Sequence, residues 1–495
     1  MNSTTTVSNI SGLHLMGMTL VCSRTIRDRN WYTNCYFQSP NGMIQRMQID
    51  DESNSHPIHR LPPEILSIIF WHAIPRDKGF VLPSTRRAPL LLRQVCTSWR
   101  SIADRTPELW ASIELFVFRP YTKAVQAHQS WISKSGNSFL DMKLVFMASE
   151  QIQYSRSSYR PLEDFVMCIK CLRSRWRNVA LSAPRFITDI LLDDQHAFPV
   201  LEELAISDAL HTLADMSWDS GELKLTKAPK LRRLRVLEPL RVHLGSIPSA
   251  ISCLQFKVGP QSQISSILKV CPRLEELTIN FGHNSPKEIA YGQHFSFPHL
   301  HTLTVTFWDS NQSSQHCVLS KIHAPALRKL ALERMKAISL SCLTALLDQS
   351  EGGVDELALS SVQLGTEDFA SCFTRTPLLR SLRIVDQDGL GDQFLERLIW
   401  RPSSNSNVLP QLTKLWLLRC SCSQMDVDLV IQLIRSRSLK ATMSESIAPL
   451  KELRFDGTQA QQSMLYNNSD VQASVEGGLT LYKYVTSSCV TRNTC

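Results

Sequence analysis

Along residues 199–417 the apolar side chains recur in one phrase, Pro-x-Leu-x-x-Leu-x-φ, where φ is apolar. It reads Pro199-Val-Leu-Glu-Glu-Leu-Ala-Ile206, Pro229-Lys-Leu-Arg-Arg-Leu-Arg-Val236, Pro272-Arg-Leu-Glu-Glu-Leu-Thr-Ile279 and Pro298-His-Leu-His-Thr-Leu-Thr-Val305. Three more copies are Pro325-Ala-Leu-Arg-Lys-Leu-Ala-Leu332, Pro377-Leu-Leu-Arg-Ser-Leu-Arg-Ile384 and Pro410-Gln-Leu-Thr-Lys-Leu-Trp-Leu417. Weaker versions sit at Leu254–Phe256, Glu356–Leu359 and Pro449–Phe455. Measured from Leu204, the second leucines follow at steps of 30, 20, 23, 26, 27, 27, 25, 33 and 38 residues. Leu-x-Leu alternation sends one set of side chains to one face of a short strand and the rest to the other. The stretches between, such as Ser262–Val270 and Leu340–Leu347, carry the three-to-four spacing of a returning helix. One such unit cannot bury its own apolar face, whereas stacked neighbours can.

The front of the chain has a different texture. From Pro62-Pro63-Glu64, residues Ile65, Leu66, Ile68, Ile69 and Phe70 predict a short helix. Proline suits its first turn, Glu64 suits the positive dipole end, and Pro75 stops it. A polar connection, Arg76–Pro89, predicts a mobile loop. Leu90-Leu91-Leu92 and Val95 then lead to a helix from about Thr97, with Trp99, Ile102 and Ala103 facing inward. Beyond Trp110 the pattern predicts strands at Trp110–Leu115, Phe139–Phe146 and Trp176–Leu181, and helices over Val125–Trp131 and Leu162–Arg175. Residues 1–56 predict a disordered or atypical arm and 457–495 a poorly ordered tail or imperfect cap, with one strand-like piece at Leu479–Val485.

Two resemblances follow from these residues. Leu61-Pro-Pro-Glu-Ile-Leu66, Ile69-Phe70, Val95-Cys96-x-x-Trp99-Arg100-x-x-Ala103 and Pro107-x-Leu109-Trp110 together resemble the F-box of fungal F-box proteins, over residues 58–110. The repeat period resembles that of leucine-rich repeats, typically 20–29 residues. Only Leu412-x-x-Leu415-x-Leu417-x-x-Cys420 completes their Leu-x-x-Leu-x-Leu-x-x-Asn/Cys pattern, so uneven loops are expected. The expected class is α/β: a three-helix F-box at 57–110, linking strands and helices at 111–182, and an irregular solenoid at 183–456. Parallel short strands would form its concave face and helices its convex face. The resemblance implies docking on a Skp-type adaptor, and through it on cullin and RING subunits of an SCF-type ubiquitin ligase. It implies docking through Leu61, Pro62, Ile65, Leu66, Ile69, Phe70, Val95, Cys96, Trp99 and Ala103, some of which must instead join the helices to one another.

Composition narrows the chemistry. No apolar run reaches the roughly 18–20 residues needed to cross a bilayer, and the leader lacks the positive charge of a secretory signal. The expectation is cytoplasmic or nuclear, with no membrane partner. Residues 61–190 hold 18 Lys/Arg against 10 Asp/Glu, while 191–495 hold 30 against 31. The basic front, with Tyr154, Tyr159 and Trp176 beside its charges, raises nucleic acid as a partner, but no nucleic acid is expected. Fourteen cysteines predict free thiols, with Cys168-x-x-Cys171 as core thiols. Asp193-Asp194-x-His196 reads as a polar turn. No phosphate loop, nucleophile elbow or zinc motif occurs. The expectation is therefore no catalytic residue, no metal and no cofactor. Binding of a protein substrate is expected on the strand residues flanking the buried leucines: Arg233, Arg235, Glu276, Thr278, Thr304, Lys329, Arg383 and Trp416. The alternative is a recognition scaffold using the same repeats outside any ligase.

Overall fold

The computed structural model describes residues 13–15, 18–27, 30–38, 57–75, 79–117, 121–146, 160–193, 197–207, 222–238, 241–245, 250–258, 264–282, 294–307, 319–335, 340–362, 364–387, 390–401, 407–420, 425–438 and 447–482. It is α/β with extensive parallel strand pairing, and it divides into two compact units, residues 1–168 with 175–180 and residues 169–174 with 181–495. No helix among the described residues is long and apolar enough to cross a membrane.

In the first unit, strands β1 (Leu13–Leu15), β2 (Met18–Arg27) and β3 (Asn30–Gln38) pair antiparallel within the N-terminal arm. Helix α1 (Pro63–His72) starts on prolines that have no N–H to leave unsatisfied. Helix α2 (Thr97–Asp104) is capped by Cys96, whose Sγ accepts from the Trp99 amide at 3.4 Å. The two helices meet through Phe70 and Trp99, rings 4.8 Å apart. Trp110 closes the cluster: its indole N–H donates to the Ala103 carbonyl at 2.8 Å, and Trp131 lies edge-on at 4.8 Å. Strand β4 (Ser112–Val117) pairs parallel with β5 (Leu140–Phe146), and helix α3 (Tyr121–Lys134) connects them. Helix α4 (Arg160–Lys170) leads to β6 (Trp176–Ser182), next to β5 in sheet order.

Part of the expected mobile loop is pinned. The Val81 carbonyl accepts from the Glu114 amide at 2.7 Å, and Val81 and Ala88 are buried. The connection therefore carries its own apolar anchors, which its overall polarity hides. Residues 76–78 lie outside the described set, as do 147–159.

The second unit is the repeat. It begins with α5 (Arg185–Leu191), β7 (Glu203–Ser207), β8 (Glu222–Lys224), β9 (Arg233–Val236), β10 (Arg241–His243), β11 (Cys253–Val258), α6 (Ile264–Lys269) and β12 (Glu276–Phe281). It continues through β13 (Phe295–Ser296), β14 (Thr302–Phe307), β15 (Ile322–His323), β16 (Lys329–Glu333), α7 (Leu340–Asp348), β17 (Glu356–Ser360), α8 (Thr366–Thr374) and β18 (Ser381–Val385). Then come α9 (Asp392–Leu398), β19 (Lys414–Leu418), α10 (Val427–Ser436), β20 (Glu452–Phe455), α11 (Gln459–Asn467), α12 (Ser469–Glu476) and β21 (Thr480–Tyr482).

Eleven of these strands lie in the order β7-β9-β11-β12-β14-β16-β17-β18-β19-β20-β21, each parallel to the next. Register locks the sequence repeat into rows. Leu204, Leu234, Leu254, Leu277, Leu303, Leu330, Leu357, Leu382, Leu415 and Leu453 form one buried ladder. The φ positions form a second, and the leucine of each Pro-x-Leu lies buried at the strand entry. Burying one such side chain contributes about 1.5–3 kcal/mol. At the entries of the ladder strands from β9 to β20 one carbonyl accepts two successive amides of the next repeat: Arg328 takes Asp355 and Glu356, and Asp355 takes Arg380 and Ser381. Where β16 to β19 end, Arg334, Ser361, Asp386 and Arg419 hold φ between 52° and 59°, and each strand leaves the sheet through a left-handed residue.

The return paths divide by position along the unit. From residue 340 onward they are helices α7 to α12, packed against their sequence neighbours, with Phe369, Phe373 and Phe394 clustered at 5.3–6.0 Å. Earlier returns include extended segments: β8 pairs with β10 and β13 with β15. Their residues alternate, with Leu223 and Leu225, and Phe295 and Phe297, buried at period two. The step of 20 residues into β11 leaves little room for a helix and two turns. Where the tail or imperfect cap is expected, α11, α12 and β21 bury Leu465, Val471 and Leu479 and pair β21 onto β20.

Candidate functional site

The helical segment of the first unit sorts the ten expected docking residues. Leu66, Phe70, Trp99 and Ala103 are at most 3% exposed and hold α1 to α2 and Trp110, so they are interior residues and not a docking surface. Cys96 is the half-buried cap of α2, and Val95 is half-buried beside it. Leu61 and Ile69 are half-buried, Pro62 is exposed, and Ile65 is 43% exposed. The outer face of α1 also carries Ile68, 55% exposed, and Trp71, 37% exposed, which the periodicity did not separate from the core. Leu61, Pro62, Ile65, Ile68 and Trp71 leave apolar surface in water on and beside one ten-residue helix. Scattered single apolar residues are ordinary on a surface; several on one helix call for a partner.

A cleft of about 580 Å³ opens in the same unit between Trp71, Ile74, Val81, Phe139 and the Arg177–Asp141 pair. Arg177 Nη2 lies 2.6 Å from the Asp141 carboxylate, so these two charges compensate each other.

In the basic segment Arg173 is buried, and Arg175 and Arg177 are half-buried. Arg173, 2% exposed, donates to Asp193 at 2.5 Å, and Lys170 pairs with the same carboxylate. Arg173, then Lys170, holds the Asp193 carboxyl well below the usual carboxylate range. Arg175 donates to the Ser135 hydroxyl and the Ser138 carbonyl, and Trp176 is fully buried. Tyr154 and Tyr159 lie outside the described residues. Cys168 and Cys171 are exposed and not core thiols, because α4 buries Phe165, Val166 and Ile169 and turns Cys168 outward. Asp193 is an ion-pair acceptor, His196 is outside the described residues, and no group of three His, Cys, Asp or Glu among the described residues could hold a metal.

In the second unit all eight expected binding residues lie on the sheet face opposite the leucine ladders, in two rows. Arg233, Glu276 and Lys329 belong to one, which runs Glu203, Arg233, Cys253, Glu276, Thr302, Lys329, Glu356, Ser381, Lys414, Glu452 and Thr480. Arg235, Thr278, Thr304, Arg383 and Trp416 belong to the other, which ends in Arg454 and Tyr482. Parallel neighbours stand about 4.8 Å apart. The first row largely neutralises itself: Lys329 meets Glu356 at 2.9 Å, and Lys414 meets Glu452 at 2.7 Å. Arg233 and Arg235 both approach Glu203, at 3.7 Å. Thr278 and Thr304 are register partners. Arg383 stacks on Trp416 at 5.4 Å, so these two are brought together.

The sequence reading missed Arg454 and Tyr482. Arg454 follows the ladder residue Leu453 in a degenerate copy, and Tyr482 follows Leu453's register partner Leu481 in the strand-like piece of the expected tail. Their signal was register alone. Compared with known proteins, the chain matches no family model and no curated sequence.

Proposed function

We propose that this chain is the substrate-recognition subunit of an SCF-type cullin–RING ubiquitin ligase. In this reading residues 57–110 are an F-box seated on a Skp-type adaptor, and residues 183–456 are a leucine-rich-repeat solenoid that holds a protein substrate. The observation that carries it is the apolar outer face of α1, Ile65, Ile68 and Trp71 beside Leu61 and Pro62. That face belongs to the segment whose sequence resembles the F-box. A cluster this small buries a low fraction of its surface, and a partner helix supplies what it lacks. The repeat strands support the second half of the reading. Their outward rows combine Arg, Trp and Thr on a rigid parallel sheet, a composition suited to protein recognition. The chain needs no reactive side chain for this role, since the ligase acts by bringing a lysine of the bound substrate within reach.

The test is co-purification with a Skp-type adaptor, followed by size-exclusion chromatography. The wild-type chain is expected to elute as a one-to-one complex. Ile68→Asp, and separately the double change Leu61→Ala with Pro62→Ala, is expected to abolish that complex while leaving the thermal midpoint within a few degrees. A variant that still binds the adaptor would sink this docking surface. A wild-type chain that ignores the adaptor would make the helices an N-terminal cap of a stand-alone recognition scaffold.

A further inference from the structure

Four adjacent strands of the second unit place Arg383, Trp416, Arg454 and Tyr482 as direct register neighbours. Cation and ring alternate. The Arg383 guanidinium lies 5.4 Å from the Trp416 ring centre, and Arg454 lies 4.3 Å from Trp416 and 4.1 Å from Tyr482. Elsewhere on this face positive charge meets negative charge; here it does not. Glu452 is taken by Lys414, and Asp386 by Arg419 at 2.8 Å. Among the described residues neither Arg383 nor Arg454 has a carboxylate partner. Arg454 Nε is buried against the rings without an acceptor.

The stacking determines what such a row can bind. A guanidinium lying over a ring engages its flat face and keeps its in-plane N–H fork for a carboxylate. Ring contacts at 4.1–5.4 Å restrain both guanidinium groups, and with Arg454 Nε buried it is the terminal Nη1/Nη2 pair that remains for a carboxylate. Arg383 and Arg454 stand two strands apart, about 9.6 Å by the usual strand spacing. A polyproline II segment rises about 3.1 Å per residue with three residues per turn, so side chains at i and i+3 share one side about 9.3 Å apart. The match is close. The chain's own residues 483–495 contain Lys483 and Arg492 and no acidic residue, so they are not the complement.

We propose that the Arg383–Trp416–Arg454–Tyr482 row is a receptor for an extended acidic segment of a protein partner, gripping two carboxylates borne three residues apart. This rests on the reading of the outward sheet face as a protein-recognition surface; it does not depend on the ligase assignment.

The experiment is fluorescence anisotropy on the full chain with three labelled peptides equal in length. One carries Glu-Pro-Pro-Glu, one carries Gln-Pro-Pro-Gln, and one carries the same two glutamates adjacent, as Glu-Glu-Pro-Pro. The wild-type chain is expected to bind the first at least about tenfold more tightly than either control. Arg383→Gln and Arg454→Gln are each expected to lose about tenfold, and Trp416→Ala to erase the preference for spacing. Arg454→Lys keeps the charge and loses the fork, so it is expected to weaken binding nearly as much as Arg454→Gln. No binding of Glu-Pro-Pro-Glu to the wild type, equal binding of the two acidic peptides, or undiminished binding by both arginine variants would each overturn the proposal. So would a single-stranded oligothymidine that binds more tightly and is lost in the same variants, which would make the row a base-stacking site. The variants are expected to keep the adaptor complex. If the adaptor test fails and spaced-acid binding remains, the ligase reading fails alone.

Discussion

His128, on α3, is 1% exposed and meets the Phe165 ring edge-on at 5.0 Å. Burial pushes its imidazole down to about 4, from an ordinary value of 6.5. Between those values the unfolded chain binds a proton that the folded unit does not. Stability of the first unit is therefore complete above about pH 6.5 and declines as pH falls toward 4, by about 3 kcal/mol across the interval. His128→Leu is expected to flatten that slope in thermal melts from pH 7 to 4.5; parallel curves for the two proteins would place its origin elsewhere. Arg437 works in the opposite sense. It is 1% exposed, stays protonated although burial pulls it to about 10, and donates to the carbonyls of Leu398, Leu409 and Val408 at 2.8–2.9 Å. Arg437→Met strands those acceptors and is expected to cost about 3 kcal/mol or more, read as a lowered urea midpoint. Neither residue announces itself in the sequence. A cation just past the end of α10 reads as a solvated one suited to the dipole, and a lone histidine on an amphipathic helix has no signature of depth.

At the scale of elements, legibility follows redundancy. The strand period was written ten times in the second unit, so the buried set Leu204 to Leu453 was readable without knowing what it packs against. Leu303→Ala is expected to cost about 2–5 kcal/mol in chemical denaturation, and its neighbour Thr304→Ala no more than about 0.5 kcal/mol. Helix α1 had no such redundancy. Ile65, Leu66, Ile68, Ile69, Phe70 and Trp71 are apolar nearly all round, and the spacing could not tell that Leu66 and Phe70 go in while Ile68 and Trp71 stay out. Cys96 failed for another reason: cysteine is an uncommon cap, and only the Sγ contact to the Trp99 amide reveals the role. The early return paths misled for another reason: segments such as Glu222–Lys224 pair as strands with a later return that no local pattern announces.

At the scale of the whole molecule, the second unit is a nearest-neighbour stack, closed at its C-terminal side by α11, α12 and β21. Val471 is fully buried and Leu465 nearly so, and Thr458 caps α11 through the Gln461 amide. Removing residues 457–495 uncovers the edge of β20 together with Leu453 and Phe455. The shortened chain is expected to lose solubility and to melt earlier, whereas changes confined to Arg383 or Arg454 leave the melting point in place. Static light scattering across a temperature ramp separates these outcomes.

The paired amides at these strand entries also have a mechanical meaning. Because one carbonyl, such as Arg328 O, receives both first amides of the next strand, neighbouring repeats are fastened at one point and then along the strand. A pull on the C-terminus loads those fasteners one after another, as a zipper does, and never all together as in shear. In an optical trap the second unit should lengthen in a staircase of low-force steps. A 27-residue repeat releases about 9 nm of chain, and the wider spacings into β19 and β20 give longer treads near the start of the trace.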